Sequence, residues 1–209
     1  MEFTIDHLEG ALSRKDLAEI GAVARDAFID DPFHLFLSNN ERLLRRGLPL
    51  FYTGFIKYLG TGRTISVVRH QGVIIAVAAW AAPGTHPPPV KDQILQALYA
   101  FWALLPIPKA LFHGTRYLTA MEKAHPKEEV WYLALLAVSP SYQRQGLGQM
   151  LMEPVLASCD QEGYDIYLET QKEENLAYYR RVGFEESAIL APVPAGPPLW
   201  TMRRRARMR

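Results

Sequence analysis

The chain has 209 residues, of which 49% are hydrophobic and 22% are charged, and its formal net charge is +1. This composition is typical of a single globular domain with a sizeable core, and the balanced charge excludes an overall field that would recruit nucleic acid or a membrane surface. One cysteine, Cys159, excludes an internal disulfide and indicates a reducing compartment.

Two features of the sequence bear on localisation. Glu2 and Asp6 interrupt any apolar leader at the N-terminus. The most apolar stretches, residues 73–82 and 94–105, are too short to cross a bilayer. We therefore expect a cytoplasmic protein that does not contact a membrane.

A short edge strand is predicted at residues 3–7, and a helix follows it. The helix begins after Ser13, which is a typical N-cap with Asp16 in the capping-box position. It ends near Phe28, because Pro32 and the two aspartates before it cannot continue the helix well.

A second helix is predicted over residues 41–58, and we expect Pro49 to interrupt it. Aromatic residues recur through this part of the chain. They could line a cleft, although aromatic residues at such spacing pack more often in a core. These residues are Phe28, Phe33, Phe36, Phe51, Tyr52 and Phe55.

A hairpin is predicted next, with strands at residues 64–69 and 73–82 on either side of His70-Gln71-Gly72. The proline-rich residues 85–90 must form a loop.

A helical pair is predicted after that loop, over residues 92–105 and 109–124. Its first helix has a strongly apolar face, which consists of Ile94, Leu95, Leu98, Phe101, Trp102 and Leu105. The helical pair could cover a site, form a dimer surface or pack on the core of its own domain.

An uncharged apolar run at residues 131–138 predicts a buried strand, which Pro140 ends. The sequence QRQGLG at residues 143–148 then leads into a helix predicted over residues 149–162. Free backbone N–H groups and the positive dipole at a helix N-terminus favour a phosphate, although an ordinary strand-to-helix turn would have the same sequence. The third glycine of a dinucleotide fingerprint and the Gly-Lys-Ser/Thr of a Walker loop are both missing.

The remaining elements are a strand at residues 164–170, a helix at 174–182 ending at Gly183, and a strand pair at 184–189 and 199–203. The arginine-rich end, residues 203–209, could bind nucleic acid, but we expect a solvated end. The histidines show no metal-ligand spacing, and His113 and His125 are isolated in the sequence, so we expect no metal.

Two segments resemble the GNAT acetyltransferase superfamily. Its acetyl-CoA-binding segment is similar to LLAVSPSYQRQGLGQMLMEPVL, and its next strand, helix and closing Gly-Phe strand are similar to IYLETQKEENLAYYRRVGFEE. Residues 125–202 resemble in particular the branch around puromycin N-acetyltransferase. The cues are HPKEEVWYLALLAVSP, QRQGLG, YLET, NLAYYRRVGF and GPPLW.

This resemblance implies the GNAT fold, an α/β (α+β) architecture with a mixed central sheet of six to seven strands flanked by helices. Two central parallel strands would splay into a V. Residues 1–209 would form one acetyltransferase domain. Within it, residues 1–90 would be the acceptor side, 91–125 a helical insertion and 126–209 the acetyl-CoA-binding half.

The resemblance also implies where acetyl-CoA is held. The exposed edge of the strand before the loop would pair with the amide arm of the cofactor, through Leu136, Ala137 and Val138. Backbone N–H groups of the loop would bind the pyrophosphate, through Arg144, Gln145, Gly146, Leu147, Gly148 and Gln149. The Arg144 side chain could add charge, or it could simply be exposed to solvent.

Three further residues are candidates for roles in the reaction. Tyr179 lies where the family has the tyrosine that protonates the leaving thiolate, and a phenol with a pKa of ~10 suits that task; its neighbour Tyr178 is the other candidate. Asn175 shares a helical face with Tyr179; the resemblance implies that it hydrogen-bonds the cofactor arm, and capping of its own helix is the alternative. Glu169 could act as the general base, or hold backbone N–H groups as a structural carboxylate.

The sequence therefore predicts an N-acetyltransferase that moves acetyl from acetyl-CoA directly to the amine of a small molecule, without a metal. A protein or peptide acceptor is the enzymatic alternative, and a non-catalytic CoA-binding regulatory module is the other. We expect no nucleic-acid partner, and a homodimer is possible.

Overall fold

A seven-stranded sheet organises residues 3–207, which are the residues described by the computed structural model; Met1, Glu2, Met208 and Arg209 lie outside them. The strands are β1 (Thr4–Leu8), β2 (Arg63–His70), β3 (Val73–Ala81), β4 (Trp131–Val138), β5 (Ile166–Thr170), β6 (Glu185–Leu190) and β7 (Leu199–Arg204). The α-helices are α1 (Arg14–Phe28), α2 (Pro32–Leu37), α3 (Glu41–Lys57), α4 (Val90–Leu104), α5 (Pro108–Ala124), α6 (Leu147–Glu162) and α7 (Glu174–Arg181). Among the described residues, no helix combines the length and the apolar character that a membrane crossing requires.

The sheet order is β1-β2-β3-β4-β5-β7-β6, and among the described strands only β4 and β5 run parallel. These two strands pair at just two positions, Trp131 with Ile166 and Tyr132 with Tyr167. Beyond Tyr132 the strands separate, while β5 continues to Thr170 beside β7. The predicted mixed sheet and the V between its central parallel strands are therefore confirmed.

A bulge at Ala134 sets which way β4 faces. Leu133 lies opposite Trp80 and Leu135 lies opposite Ala79, so Ala134 is an extra residue in β4. Such a bulge reverses the alternation of side chains along a strand. As a result Leu133 packs with α6, whereas Leu135 packs with α1 and α3 on the other face of the sheet.

Two hydrophobic cores cover the two faces of the sheet. The first lies under α1 and α3 and includes Ile20, Leu48 and Val77; the second lies under α6 and α7 and includes Trp80 and Leu151. The V thus opens between two packed layers, one on each face. The N-terminal aromatic residues belong to the first layer, with Tyr52 buried and the phenylalanines packed against the core, which supports the core interpretation.

The N-terminal helices agree in part with those predicted from the sequence. Ser13 caps α1 and accepts a hydrogen bond from the Asp16 N–H at 3.0 Å. The short helix α2 was not predicted; Asp31 caps it by accepting from the Phe33 N–H at 2.9 Å. The predicted interruption at Pro49 is wrong, because α3 runs through it. Burial of one whole face of α3 against the core outweighs the single hydrogen bond that proline removes.

The hairpin forms with Gln71 and Gly72 at positive φ, 51° and 77°, which is the backbone of a two-residue turn. The helical insertion packs on α3 through the side of α4 that carries Gln96, whose Nε2 donates to the Phe55 carbonyl at 3.1 Å. The apolar face points the other way, and Trp102 is 65% exposed. Leu104, Ile107 and Ala110 nevertheless belong to the first core, so the helical pair packs on the core of its own domain, while this apolar face stays largely exposed.

Arg203 and Arg204, at the end of β7, are bound to carboxylates of the folded domain. Arg204 is 4% exposed and makes two hydrogen bonds of 2.7 Å to the Asp160 carboxylate. Arg203 bonds Asp165 at 2.8 Å and also reaches Glu128. These pairs tie β7 to α6 and to the chain before β5. The prediction of a solvated end is therefore wrong for Arg203 and Arg204.

Candidate active site

The turn between β4 and α6 is the first part of the candidate site. β4 ends at Val138, and one 3₁₀ turn, Pro140–Tyr142, follows it. Gly146 is the N-cap of α6 with φ 81°, a left-handed conformation that glycine adopts without strain. α6 begins at Leu147, two residues earlier than predicted, so Leu147 and Gly148 lie in its first turn.

Six consecutive backbone N–H groups at this turn have no acceptor. Within residues 3–207, none of the N–H groups from 144 to 149 donates to a protein atom, and the first to do so is Met150, to the Gly146 carbonyl at 3.0 Å. Gly146 has no side chain that could cap the helix. Free N–H groups at the positive end of a helix dipole form an anion site.

Side chains support the turn without using those N–H groups. Gln143 Nε2 donates to the Val138 carbonyl at 3.1 Å, and Gln145 Nε2 donates to the Ser141 carbonyl at 3.3 Å. The Arg144 side chain is exposed, and its φ of 59° is left-handed. Both of the interpretations offered for Arg144 are compatible with that exposure.

The edge of β4 beside this turn is open on one side. Leu136, Ala137 and Val138 pair with Ala78, Val77 and Ala76 of β3, and no strand of the described residues pairs with them on the side of β5. The bulge at Ala134 turns the half-buried side chains of Leu136 and Val138 toward the α6 layer. An extended ligand can therefore hydrogen-bond to this edge.

The two tyrosines of α7 lie at different depths. Tyr178 packs against the first turn of α6: a Cβ at Gly148 would lie 2.7 Å from Tyr178 Oη and 3.7 Å from Leu136 Cδ2. Tyr178 Oη is buried and has no hydrogen-bond partner among the described residues, and burial raises its pKa to about 12. No sequence pattern indicates that Tyr178 faces this turn, because the small residue at position 148 is informative only once the fold is known.

Tyr179 is buried between Tyr178 and Phe184, with ring centroids 5.3 Å and 5.7 Å away. Burial raises the pKa of its phenol well above the usual value, so the hydroxyl is protonated at neutral pH. Asn175 does not cap α7, whose N-cap is Glu173; its Nδ2 instead donates to Thr170 Oγ1 at 3.2 Å. The capping interpretation of Asn175 is therefore wrong.

Glu169 lies on the other face of the sheet. Leu168 packs in the α6 layer, whereas Tyr167, on the same face of β5 as Glu169, packs with Tyr132. Burial raises the pKa of the Glu169 carboxyl to about 7, and the nearby hydroxyls of Tyr132 and Tyr167 limit that rise by favouring the charged form. A carboxyl with that pKa can take up and release a proton near neutral pH.

His125 is not isolated, contrary to the expectation from its place in the sequence. Its ring lies 4.2 Å from that of His86 and 5.1 Å from those of Tyr132 and Tyr167, measured between centroids. His113 contacts the rings of Phe36 and Phe112. Among the described residues, no group of three or more histidine, cysteine or carboxylate side chains could hold a metal ion.

The turn between α1 and α2 lies beside the C-terminal end of β5. Lys172, just after β5, has its Nζ 3.2 Å from Asp30 Oδ2 and joins the two elements. Tyr117 of α5 donates to the Pro197 carbonyl at 2.5 Å and lies 4.6 Å from Phe33 between ring centroids. The helical insertion and the loop between β6 and β7 therefore meet beside this turn.

Comparison with known proteins gives consistent results. The sequence model of the acetyltransferase (GNAT) family matches residues 60–184. An uncharacterized N-acetyltransferase of Schizosaccharomyces pombe is 28% identical over 186 residues, which cover 81% of this chain and 71% of that protein.

Solved structures with the same fold include two acetyltransferases. The structure of histone acetyltransferase HPA2 and related acetyltransferase from Corynebacterium glutamicum matches with a TM-score of 0.62 and 23% identity, over 100% of this chain and 99% of that one. PaiA N-acetyltransferase from Thermoplasma acidophilum, in complex with coenzyme A, matches with a TM-score of 0.53 and 12% identity, over 98% and 99%. At these sequence identities, the two comparisons show that the chains share a fold and nothing more specific.

Proposed function

Since this chain belongs to the acetyltransferase (GNAT) family, we propose that it transfers an acetyl group from acetyl-CoA directly to the amine of a small molecule. The observation that carries this proposal is the row of six unpaired backbone N–H groups at the start of α6, beside the open edge of β4. A diphosphate and an amide-bearing arm are the two parts of coenzyme A that such a pair of features would bind.

The residues present fit acetyl-CoA. The N–H groups of residues 144–149 would hold its diphosphate, and the free edge of Leu136, Ala137 and Val138 would pair with its amide arm. The buried, unpartnered hydroxyl of Tyr178 lies between these two features, and a ligand atom would satisfy it. The structure of PaiA N-acetyltransferase in complex with coenzyme A shares the fold and supports the proposal.

Tyr179 would donate a proton to the leaving sulfur. A thioester supplies an acyl group with a thiolate as its leaving group, and a phenol protonated at neutral pH can donate to it. Asn175 lies one turn before Tyr179, half-buried at the C-terminal end of β5. We assign to Asn175 a hydrogen bond to the arm of the cofactor, because its carbonyl oxygen remains available while Nδ2 bonds Thr170.

Glu169 would remove the proton from the acceptor amine. An amine attacks a thioester only when its nitrogen carries a lone pair, and a carboxylate with a pKa of about 7 is suited to take its proton at neutral pH. Glu169 faces the acceptor side, opposite the layer that contains Tyr179. Base and acid would therefore act from the two faces of the sheet through the V.

The test is thiol release from acetyl-CoA in the presence of a panel of small primary amines and of peptides with free N-termini. We expect turnover with small amines, and we expect the Tyr179→Phe variant to bind acetyl-CoA normally but to turn over slowly. Turnover with peptides alone would favour the protein-acceptor alternative. Binding of acetyl-CoA without turnover on any amine would favour a regulatory module.

A further inference from the structure

Four aromatic rings form a compact cluster behind Glu169. His86 precedes α4 and His125 follows α5. Tyr132 and Tyr167 form the last pair between β4 and β5 before these two strands separate. The ring centroids lie 4.2 Å apart for His86 and His125, 4.9 Å for His86 and Tyr132, and 5.1 Å between His125 and each tyrosine. Residues far apart in the sequence thus bring two imidazoles and two phenols together.

Two polar atoms of this cluster are buried without a partner. Among the described residues, neither His86 Nδ1 nor His125 Nδ1 makes a hydrogen bond. Buried polar atoms in proteins are nearly always paired, with ordered water where no protein group is available. Two such atoms on adjacent rings indicate bound water beside them.

The cluster leads from Glu169 toward the surface. At one end, the hydroxyls of Tyr132 and Tyr167 lie near enough to Glu169 to affect its ionisation. At the other end, His86 lies near Glu122, an exposed residue in the last turns of α5. Within residues 3–207, Glu169 and Glu122 are the charged neighbours outside the cluster that alter the ionisation of its imidazoles and phenols.

We propose that His125 and His86, with ordered water between them and Glu169, form the path by which the proton taken from the acceptor amine leaves the site. This inference rests on the proposed function. It assigns His125 and His86 as positioning and relay residues, since neither contacts the reacting atoms. It also gives the helical insertion a role, because the end of α5 holds His125 beside the sheet.

The proton balance requires such an exit. Acetylation of an ammonium ion gives an amide, a free thiol and one proton. Glu169 takes that proton from the acceptor nitrogen, and its carboxylic acid passes it to a bridging water. The water gives a proton to the unprotonated nitrogen of His125, and His86 passes a proton on to solvent beside Glu122. Each relay group returns to its starting state, so the net change is one proton in bulk water.

The kinetic test compares His125→Ala with His113→Ala. His113 also has a buried, unpartnered Nδ1 on α5, but its ring contacts Phe36 and Phe112, so it is a matched control. We expect kcat of His125→Ala to fall by about tenfold or more in dilute buffer and to recover as imidazole or phosphate is added, because a small base can then carry the proton. His113→Ala should show neither effect. Turnover of His125→Ala at the wild-type rate, or a loss that buffer does not restore, would overturn the proposal.

A second measurement does not depend on turnover. A crystal structure at a resolution that reveals water should show ordered water linking the Glu169 carboxylate to the Nδ1 atoms of His125 and His86. A dry cluster would overturn the relay even if the protein is an active acetyltransferase. Thiol release that is absent in the wild type would instead contradict the proposed function, and the water structure would still decide whether this path exists.

Discussion

Tyr178 and Gly148 meet at the first turn of α6, and their contact leaves no room for a side chain at position 148. A Cβ there would lie 2.7 Å from Tyr178 Oη, closer than van der Waals contact allows. Gly148 has an ordinary helical φ, so the requirement for glycine here comes from packing and not from the backbone. The contact joins α7 to the turn that we assign to the diphosphate.

The Gly148→Ala variant should therefore be less stable, although alanine is the better helix former. Overpacking costs about 1–3 kcal/mol, which exceeds the gain of about 0.5–1 kcal/mol from replacing a helical glycine. Urea unfolding measures the difference. The second change Tyr178→Phe removes the clashing oxygen, so the double variant should recover most of the loss. A double variant no more stable than Gly148→Ala would show that the contact is not the cause.

Glu169 should impose a pH dependence on turnover. Since a base acts only when deprotonated, kcat/KM should rise with pH up to about 7 and level off above it. An alkyl amine should serve as the acceptor, because its nitrogen stays protonated throughout this range, needs a base and adds no titration of its own near pH 7. In Glu169→Gln the rate should be low and the limb near pH 7 should vanish. Persistence of that limb in the variant would remove Glu169 from the reaction.

Glu169 should also make the free energy of unfolding depend on pH, and this free energy should fall as the pH rises, whereas turnover should increase. The pKa of Glu169 rises from 4.5 in the unfolded chain to about 7 in the folded protein, so the folded state favours the proton. Its contribution to stability is full below pH 4.5 and is lost as the pH rises through 7, a change of about 3 kcal/mol. Relative to Glu169→Gln, the wild type should lose stability between pH 4.5 and 7. A constant difference across that range would contradict the burial of this carboxyl.

Arg204 should matter for folding and not for acceptor chemistry. Replacing it with Met removes both hydrogen bonds to Asp160 and leaves that carboxylate without its cation, which should cost about 2–4 kcal/mol in the free energy of unfolding. Arg205→Met is the matched control, since Arg205 is exposed, and should change stability by less than about 0.5 kcal/mol. Chemical denaturation compares the two, and equal effects would mean that the ion pair contributes little.

The apolar run of β4, the glycine turn and the strand after it follow an order that resembles the GNAT superfamily, and this resemblance implied the mixed sheet and its V. The sequence pattern placed the start of α6 two residues late, because a left-handed glycine can precede a helix as its cap as well as lie in a loop. It misjudged Arg203 and Arg204 because an arginine-rich end looks solvated unless its aspartate partners are known to lie beside it.

The cluster around His125 could not be predicted. His86 and His125 come from opposite ends of the helical insertion, and only the folded sheet brings them to Tyr132 and Tyr167. Local sequence patterns do not predict contacts between residues that are distant in the sequence. By contrast, the candidate residues of the turn, from Arg144 to Gln149, are consecutive, and a local sequence pattern was enough to select them.

The most direct test of this account is calorimetric titration of acetyl-CoA into Gly146→Asp, Gly163→Asp and the wild type. Both glycines have positive φ, 81° and 80°, and a side chain at either would meet no atom within 4 Å, but they lie at opposite ends of α6. We expect the wild type and Gly163→Asp to bind acetyl-CoA alike, and Gly146→Asp to lose binding, because its carboxylate would lie beside the N–H groups that hold the diphosphate. Equal affinity in all three proteins would contradict the account.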